Sequence, residues 1–284
     1  AQTFDEVSTI SHYNPVYDAR FSDDSLRLVT VDNSGQVAVW DGKTADLISL
    51  LEGHSDRVNS GRFDPVDNNR LVTGSDDNTA IVWDTTSGKA LLTLRGHTGW
   101  VNEALYSPDG KTIATMSSDG TSKLWDAETG QELRTFEGHL KDVWDGAISP
   151  DGKLLATASS DGTARVWELA TGRQLFVLPV RSATVNKIDF SPEGDHIVTV
   201  SDDKIARLWD AKTGILVSTL AGHSDSILDA EFSPDGRQLI TGGRDGRARL
   251  WRVFTGANLV SMARATVPRQ LTAAERELYS LPPE

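Results

Sequence analysis

The sequence predicts an all-β protein built from six copies of one four-stranded unit, stacked about a common axis. Three observations predict it. A Trp recurs at 40, 83, 125, 167, 209 and 251, at intervals of 43, 42, 42, 42 and 42 residues, and so constant a period marks one supersecondary unit copied and stacked. Within each interval, short stretches of period-two alternation are punctuated by Pro, Gly and Asp turns, the pattern of antiparallel strands joined by tight hairpins. Finally, one such sheet cannot bury both of its faces, so the units must pack on one another around an axis. The unbroken register places one domain over residues 1–266 and leaves 267–284 as a tail.

Each unit reads in the same order. A first strand such as Val58-Asn59-Ser60-Gly61-Arg62-Phe63 or Ile227-Leu228-Asp229-Ala230-Glu231-Phe232 runs into a Ser-Pro-Asp-Gly turn at 107–110, 149–152 and 233–236, with Glu193 replacing Asp at 191–194. Proline presets φ at the second turn position and glycine accepts positive φ at the last. A second strand (Leu154-Leu155-Ala156-Thr157) reaches an Asp-Gly or Asp-Asn turn, a third (Thr163-Ala164-Arg165-Val166-Trp167) returns, and Thr-Gly pairs at 129–130, 171–172, 213–214 and 255–256 lead into a fourth. Residues 4–10 and 257–263 both have the character of this outer fourth strand, and a closed ring of six has room for only one of them. A seven-sheet ring, or a place in a longer array, is the alternative. In the tail, Thr272 and Glu275 form a capping box and Leu271, Ala274, Leu278 and Leu281 a helical stripe ended by Pro282-Pro283, which predicts a short amphipathic helix.

Composition narrows the function classes. Lys and Arg number 28 against 41 Asp and Glu, a formal charge of -13, which disfavours nucleic-acid backbones and anionic membrane surfaces. No apolar run approaches the ~20 residues of a membrane span, and the opening Ala1-Gln2-Thr3-Phe4-Asp5-Glu6 has no signal-peptide pattern. Cysteine is absent, which removes disulfides, thiolate metal sites and cysteine nucleophiles and favours a cytoplasmic location. The Asp-rich turn Ser75-Asp76-Asp77-Asn78 lacks the spaced carboxylates and sixth-position Gly of a calcium loop. No Gly-rich loop precedes a helix to cradle phosphate. No metal, nucleotide or other small-molecule cofactor is expected.

Polar residues keep the same register as the Trp. Six residues before each Trp stand Asp77, Asp119, Asp161, Asp203 and Asp245, with Ser34 in the first unit; ten before stand Thr30, Thr73, Thr115, Thr157, Thr199 and Thr241. At 28 or 29 before stand His12, His54, His97, His139 and His223, with Arg181 in the fifth unit. With Gly-His opening and Trp-Asp closing most units, the chain up to about residue 266 closely resembles the WD-repeat β-propellers. The resemblance implies a structural hydrogen-bond relay in each blade, from the Trp indole to Thr, to His, to Asp. Four units carry it whole: His54/Thr73/Asp77/Trp83, His97/Thr115/Asp119/Trp125, His139/Thr157/Asp161/Trp167 and His223/Thr241/Asp245/Trp251. Thr, His and Asp together would suit a hydrolase, but an enzyme needs one such constellation in a cleft, and buried polar groups are usually satisfied rather than reactive. No catalytic residue is assigned. The blades that hold Ser34 and Arg181 are expected to be locally less stable, with Arg181 pointing outward.

In this family partners dock on the rim formed by the loops that enter the first strand and join the second to the third. By register this rim carries Arg57, Trp100 and Asp142 just before the first-strand Val, Tyr17, Asn102, Trp144 and Leu228 just after its first residue, and Asp202 and Arg244 before the turn Asp. Of eight Trp, six close repeats; the other two, Trp100 and Trp144, fall on this rim in neighbouring units. Exposed aromatics flanked by Arg57 and Asp142 have the composition of a protein-recognition hot spot. The sequence therefore predicts a non-enzymatic module that binds a protein or peptide there. The recurring Ser-Pro-Asp-Gly, Asp-Gly-Lys and Ala-Thr-Gly, and the tail Arg269–Arg276, are similar to bacterial WD-repeat proteins in which the propeller is the C-terminal sensor of a larger signalling or defence protein. A free-standing assembly scaffold is the alternative, and a propeller hydrolase with a site in the central channel a remote one.

Overall fold

A computed structural model describes residues 8–32, 34–180 and 184–253, apart from the side chain of Tyr17. The first sheet holds β1 (Val16–Phe21), β2 (Arg27–Asp32), β3 (Val37–Asp41) and β4 (Leu47–Leu51), and the second β5 (Val58–Phe63), β6 (Arg70–Ser75), β7 (Thr79–Asp84) and β8 (Ala90–Arg95). The third holds β9 (Val101–Tyr106), β10 (Thr112–Ser117), β11 (Ser122–Asp126) and β12 (Glu132–Phe136), and the fourth β13 (Val143–Ile148), β14 (Leu154–Ser159), β15 (Thr163–Glu168) and β16 (Gln174–Pro179). The fifth holds β17 (Val185–Phe190), β18 (His196–Ser201), β19 (Ile205–Asp210) and β20 (Leu216–Ala221), and the sixth β21 (Ile227–Phe232), β22 (Gln238–Gly243) and β23 (Arg247–Arg252). Every pairing is between antiparallel chain neighbours, so each sheet is a meander.

The all-β expectation stands for the described residues, with one difference in detail. Among them the sixth sheet has three strands, not four. Residues 8–15, at the end of the first outer-strand candidate, form no strand. The second candidate, 257–263, and the predicted helix of the tail lie outside the described residues.

Hairpin turns follow from local chemistry. In the third sheet Gly110, at φ 69°, donates its N–H to the Ser107 carbonyl at 2.9 Å, while the Ser107 hydroxyl donates to Asp109 at 2.7 Å. Glycine is needed there because the last turn residue must adopt positive φ.

The core lies between sheets. β6, β10, β14 and β18 are buried at every position except the first, because both faces of these strands meet a neighbouring sheet. Val72 and Val82 of the second sheet pack on Val101, Ala104 and Tyr106 of the third; Val198 and Leu208 of the fifth pack on Ile227 and Phe232 of the sixth. Five such clusters fill the five junctions between consecutive sheets.

One irregularity recurs in all six sheets. The register of first strand against second slips by one residue, passing over Tyr17, Asn59, Asn102, Trp144, Asn186 and Leu228. A β-bulge of this kind re-aims the extra side chain away from the ladder.

Close approach also fixes a glycine. A Cβ on Gly74 would stand 2.9 Å from Val101 Cγ1 and 3.0 Å from the Val101 carbonyl oxygen. Gly74→Val should therefore push the second and third sheets apart and cost about 1–3 kcal/mol, read as a lower urea midpoint. A variant as stable as the parent would show that this junction has slack.

Candidate functional site

Four blades contain the complete relay. In the second, Trp83 Nε1–H donates to Thr73 Oγ1 at 2.8 Å, Thr73 lies 2.7 Å from His54 Nε2, and His54 Nδ1 lies 2.8 Å from Asp77 Oδ2. The corresponding His–Asp distances are 2.8 Å for His97–Asp119, 3.0 Å for His139–Asp161 and 2.9 Å for His223–Asp245. Trp125, Trp167 and Trp251 donate to Thr115, Thr157 and Thr241 at 2.9, 3.0 and 2.9 Å. A chain of donors consistent with this geometry runs from indole to hydroxyl to a neutral imidazole protonated on Nδ1, and ends on the carboxylate.

The carboxylate collects further donors. Asp161 accepts from the Leu140 and Thr163 backbone N–H groups at 3.0 and 2.9 Å and from the Thr163 hydroxyl at 2.6 Å. Burial by itself would raise its pKa, but these bonds and the His139 bond outweigh it and hold the carboxyl at about 2. Burial pushes His54 and His139 down, against the pull of Asp77 and Asp161. The relay ties the loop ahead of the first strand to the turn after the second, and so fixes the rim. Its Thr hydroxyls are fully buried at 73, 115, 157 and 241, and each has its donor and acceptor capacity engaged within the blade.

In the two departing blades other side chains take over the turn, although in the first the buried His12 Nε2 is left without a hydrogen-bond partner. Asp32 takes the place left by Ser34, accepting from the Ser34 N–H and hydroxyl and the Gln36 N–H at 2.9, 2.6 and 3.0 Å. In the fifth blade, Asp203 is met by the Arg207 guanidinium at 3.1 and 2.6 Å and by the Ser201 hydroxyl at 2.6 Å. Arg181 lies outside the described residues.

Bulge residues divide into two kinds. Asn59, Asn102 and Asn186 reach across to the next sheet and donate to the carbonyls of Val101, Val143 and Ile227 at 3.1, 2.8 and 2.8 Å. Asn102, expected on the binding rim, is buried by this tie. Trp144 and Leu228 stand at the same bulge without making this bond, and both are exposed. Trp100 is 48% exposed and Trp144 38%. Arg244 and Asp202 are exposed, Asp142 partly so, and Arg57 pairs with Asp76 at 3.3 Å. The Tyr17 side chain lies outside the described part.

Sequence reasoning missed Leu140. It is 86% exposed and opens onto a recess of about 350 Å³ shared with Ser118, Asp142 and Ser160. Ser118 also donates its N–H to the Trp100 carbonyl at 2.9 Å, so Leu140 and Trp100 flank one turn. The signal was available: the residue after His is Ser55, Thr98 and Ser224 in the other complete units, and a leucine at a solvent-facing polar position is the exception. Trp100, Leu140 and Trp144 thus form an apolar feature on the third and fourth blades.

First-strand side chains face the axis and carry alternating charge. Arg62 bonds Asp18 at 2.7 Å and Glu103 at 3.1 Å, and Lys187 bonds Asp145 at 2.9 Å. Arg62, Glu103 and Lys187 border a cavity of about 300 Å³ whose lining includes Arg20, Asp189, Asp229 and Glu231 but no hydroxyl or imidazole side chain. Burial pushes the Asp189 carboxyl up to about 6, against the attraction of Lys187. Among the described residues no group of three or more His, Asp or Glu could hold a metal ion, and no helix is long and apolar enough to cross a membrane.

Two pH effects follow, of opposite sign. His139 is neutral in the fold but is protonated below about pH 6.5 when unfolded, so its contribution to stability is lost as pH falls from 6.5. His139→Gln should flatten the fall in urea midpoint between pH 7.5 and 5; a slope identical to the parent's would rule the relay out as its source. Asp189 binds a proton more readily folded than unfolded, so its cost to the fold grows as pH rises from about 4 and is complete above about 6. Asp189→Asn should gain on the order of 1–3 kcal/mol at pH 7.5 and lose that gain by pH 4, and no gain at pH 7.5 would contradict the assignment.

Comparison with known families gives one family and its repeat. The profile described as WD domain, G-beta repeat matches residues 4–41, 45–84, 88–126, 130–168, 172–210 and 214–252. Comparison with curated proteins gave no match. Each family match after the first spans the outer strand of one sheet and the inner three of the next, as 45–84 spans β4 to β7. With six matched repeats, six stacked antiparallel sheets and four complete Trp–Thr–His–Asp relays, the chain belongs to the WD-repeat family, whose members generally mediate protein–protein interaction or scaffolding and are typically non-enzymatic.

Proposed function

We propose that this chain binds a protein or peptide on the rim of its third and fourth blades, with Trp100, Leu140 and Trp144 as the apolar contacts and Asp142 beside them. The observation that supports the reading is that these three apolar side chains, carried by two neighbouring blades, all face solvent, whereas the large apolar counterparts Tyr13 and Leu228 occur singly in the first and sixth blades. Large aromatic side chains on a rigid surface supply contact area at low entropic cost, and anchors of this type dominate binding energy.

Beyond the rim, we propose that the module serves as the sensor of a larger bacterial signalling or defence protein. The likeness of its turns and tail to that group supports this. A nucleotide-binding domain encoded upstream of Ala1 would support the sensor; its absence from the full-length gene would leave the scaffold reading in its place.

Peptides selected from a random displayed library against the purified chain test the rim. Trp100→Ala and Trp144→Ala should each weaken binding of the selected peptides by roughly 2 kcal/mol, about thirtyfold. Val66→Ala, an exposed residue in the turn between β5 and β6 on the opposite side, should leave binding unchanged. Selected peptides that bind all three variants equally would place the binding surface elsewhere.

A further inference from the structure

The loop that leads from the relay His into the first strand of the fourth blade has a composition found in no other unit. It combines an exposed apolar residue, Leu140, with a carboxylate, Asp142. At the place of Asp142 the other units carry Pro15, Arg57, Trp100, Thr184 and Ser226. The recess of about 350 Å³ lies between this loop and the turn of the third blade that holds Ser118 and Gly120.

This recess is rich in hydrogen-bond acceptors and poor in donors. The backbone N–H groups of Ser118, Gly120, Leu140 and Ser160 are turned to partners within the fold: the Trp100 carbonyl, the Ser117 carbonyl, the Asp161 carboxylate and the Asp142 carbonyl. Both ring nitrogens of His139 are held in the relay. Beside Gly120 the nearest atoms to the place of a Cβ are the carbonyl oxygens of His139 and Lys141, at 3.4 and 3.5 Å. The Asp142 carboxylate takes part in no hydrogen bond or ion pair among the described residues. Lys141, its exposed neighbour on the lining, forms no pair with it.

A recess of this kind suits a positively charged group that donates several hydrogen bonds and is carried on an apolar stem. A guanidinium fits better than an ammonium. Its five N–H donors lie in one rigid plane, so that it can serve a carboxylate and neighbouring carbonyls together, and it is the more weakly hydrated of the two. Its methylene stem packs on apolar surface such as Leu140 while the head keeps its polar partners. A volume of about 350 Å³ is at the small end of the roughly 300–1,000 Å³ of ligand sites, which suits one long side chain. The charge of -13 on the whole chain draws a basic ligand in from a distance.

We infer that the recess takes an arginine side chain of the bound partner, with its guanidinium on Asp142 and the carbonyls of His139 and Lys141 and its stem on Leu140. The inference rests on the rim reading above and adds the chemistry of the partner: a basic peptide with arginine beside the apolar residues that meet Trp100 and Trp144.

Peptides selected from a random displayed library against the purified chain are sorted by whether Trp100→Ala weakens their binding. One arginine-containing member of the Trp100-dependent set is synthesised as such and with citrulline, which keeps the shape of arginine without its charge. Expected is an excess of arginine in that set of several-fold over its frequency in the library. Affinity should fall about tenfold on replacing arginine with citrulline, by a similar factor on Asp142→Asn, and no further when both changes are made. An unchanged urea midpoint in Asp142→Asn shows that the loss is not one of folding. Trp100-dependent peptides with no excess of arginine, with lysine as abundant as arginine, or with the same citrulline loss in the parent and in Asp142→Asn would overturn the inference and leave the rim reading in place. Acidic peptides whose binding falls on Lys141→Ala would overturn it too, giving the recess to the ammonium of Lys141. Peptides indifferent to both Trp100→Ala and Asp142→Asn would overturn both readings.

Discussion

No sheet in this protein buries its apolar strands by itself. Val72 and Val82 are fully buried only because the third sheet lies on them, and Val198 only because the sixth does. Each buried Val, Leu or Ile contributes about 1.5–3 kcal/mol relative to exposure, so stability resides in the junctions, and a sheet is as stable as the neighbours that cover it. That dependence explains the composition of the inner strands. With a sheet on either face, β6, β10, β14 and β18 have no solvent side, and they are filled by Val, Ile, Leu, Ala, Thr, Ser, Met and Gly in place of an alternation with charged residues.

Burying a threonine and an indole N–H in such strands creates a hydrogen-bonding demand, and the relay meets it. An unsatisfied buried donor costs about 1–3 kcal/mol, and a bond to a charged group contributes about 1.5–3 kcal/mol. The Asp at the end of each relay is therefore kept ionised by the donors gathered round it, as the low pKa of Asp161 shows. The fifth blade indicates which part of this is indispensable. It has no His in the described relay, yet Trp209 still donates to Thr199 at 2.9 Å and Asp203 still receives two guanidinium bonds, now from Arg207. The carboxylate needs charged or polar donors; which side chain supplies them is secondary.

How much of this could be read from the sequence depended on whether a feature repeats. The strands and the relay positions carry the 42-residue period, so each was read several times over, and an error in one unit would have been corrected by the others. The rim positions were located by the same counting, without knowledge of the bulge that places them there. Features that depend on which group the fold brings opposite a side chain had no such support. The tie of Asn102 to the Val143 carbonyl of the next sheet, 41 residues away, recurs at Asn59 and Asn186, yet counting alone does not say that the amide turns inward. The exchange of His for Arg207 was equally hidden, because Arg165 occupies the same register in the fourth blade and there meets Gln174. The axial ion pairs join Arg62 to Asp18 and Glu103 across three sheets, and they become visible only when the first strands are brought round one axis. Leu140 was legible in principle, by the absence of the small polar residue found after His54, His97 and His223.

The same constraint governs where a partner could be bound with advantage. In an array stabilised only by its neighbours, the end sheets open most readily and the middle ones least. Trp100, Leu140 and Trp144 sit on the third and fourth blades, each with two covered junctions and a complete relay. Their backbone is therefore held before any ligand arrives, and binding there does not have to order the surface first. The exposed apolar side chains at Phe21 and Leu250 are the opposite case. They lie on faces whose own sheets have, among the described residues, one neighbour each, so those sheets open more readily and offer a less fixed surface. The rigidity that suits the middle blades to recognition and the readier opening of the outer sheets thus arise from one rule of stacking.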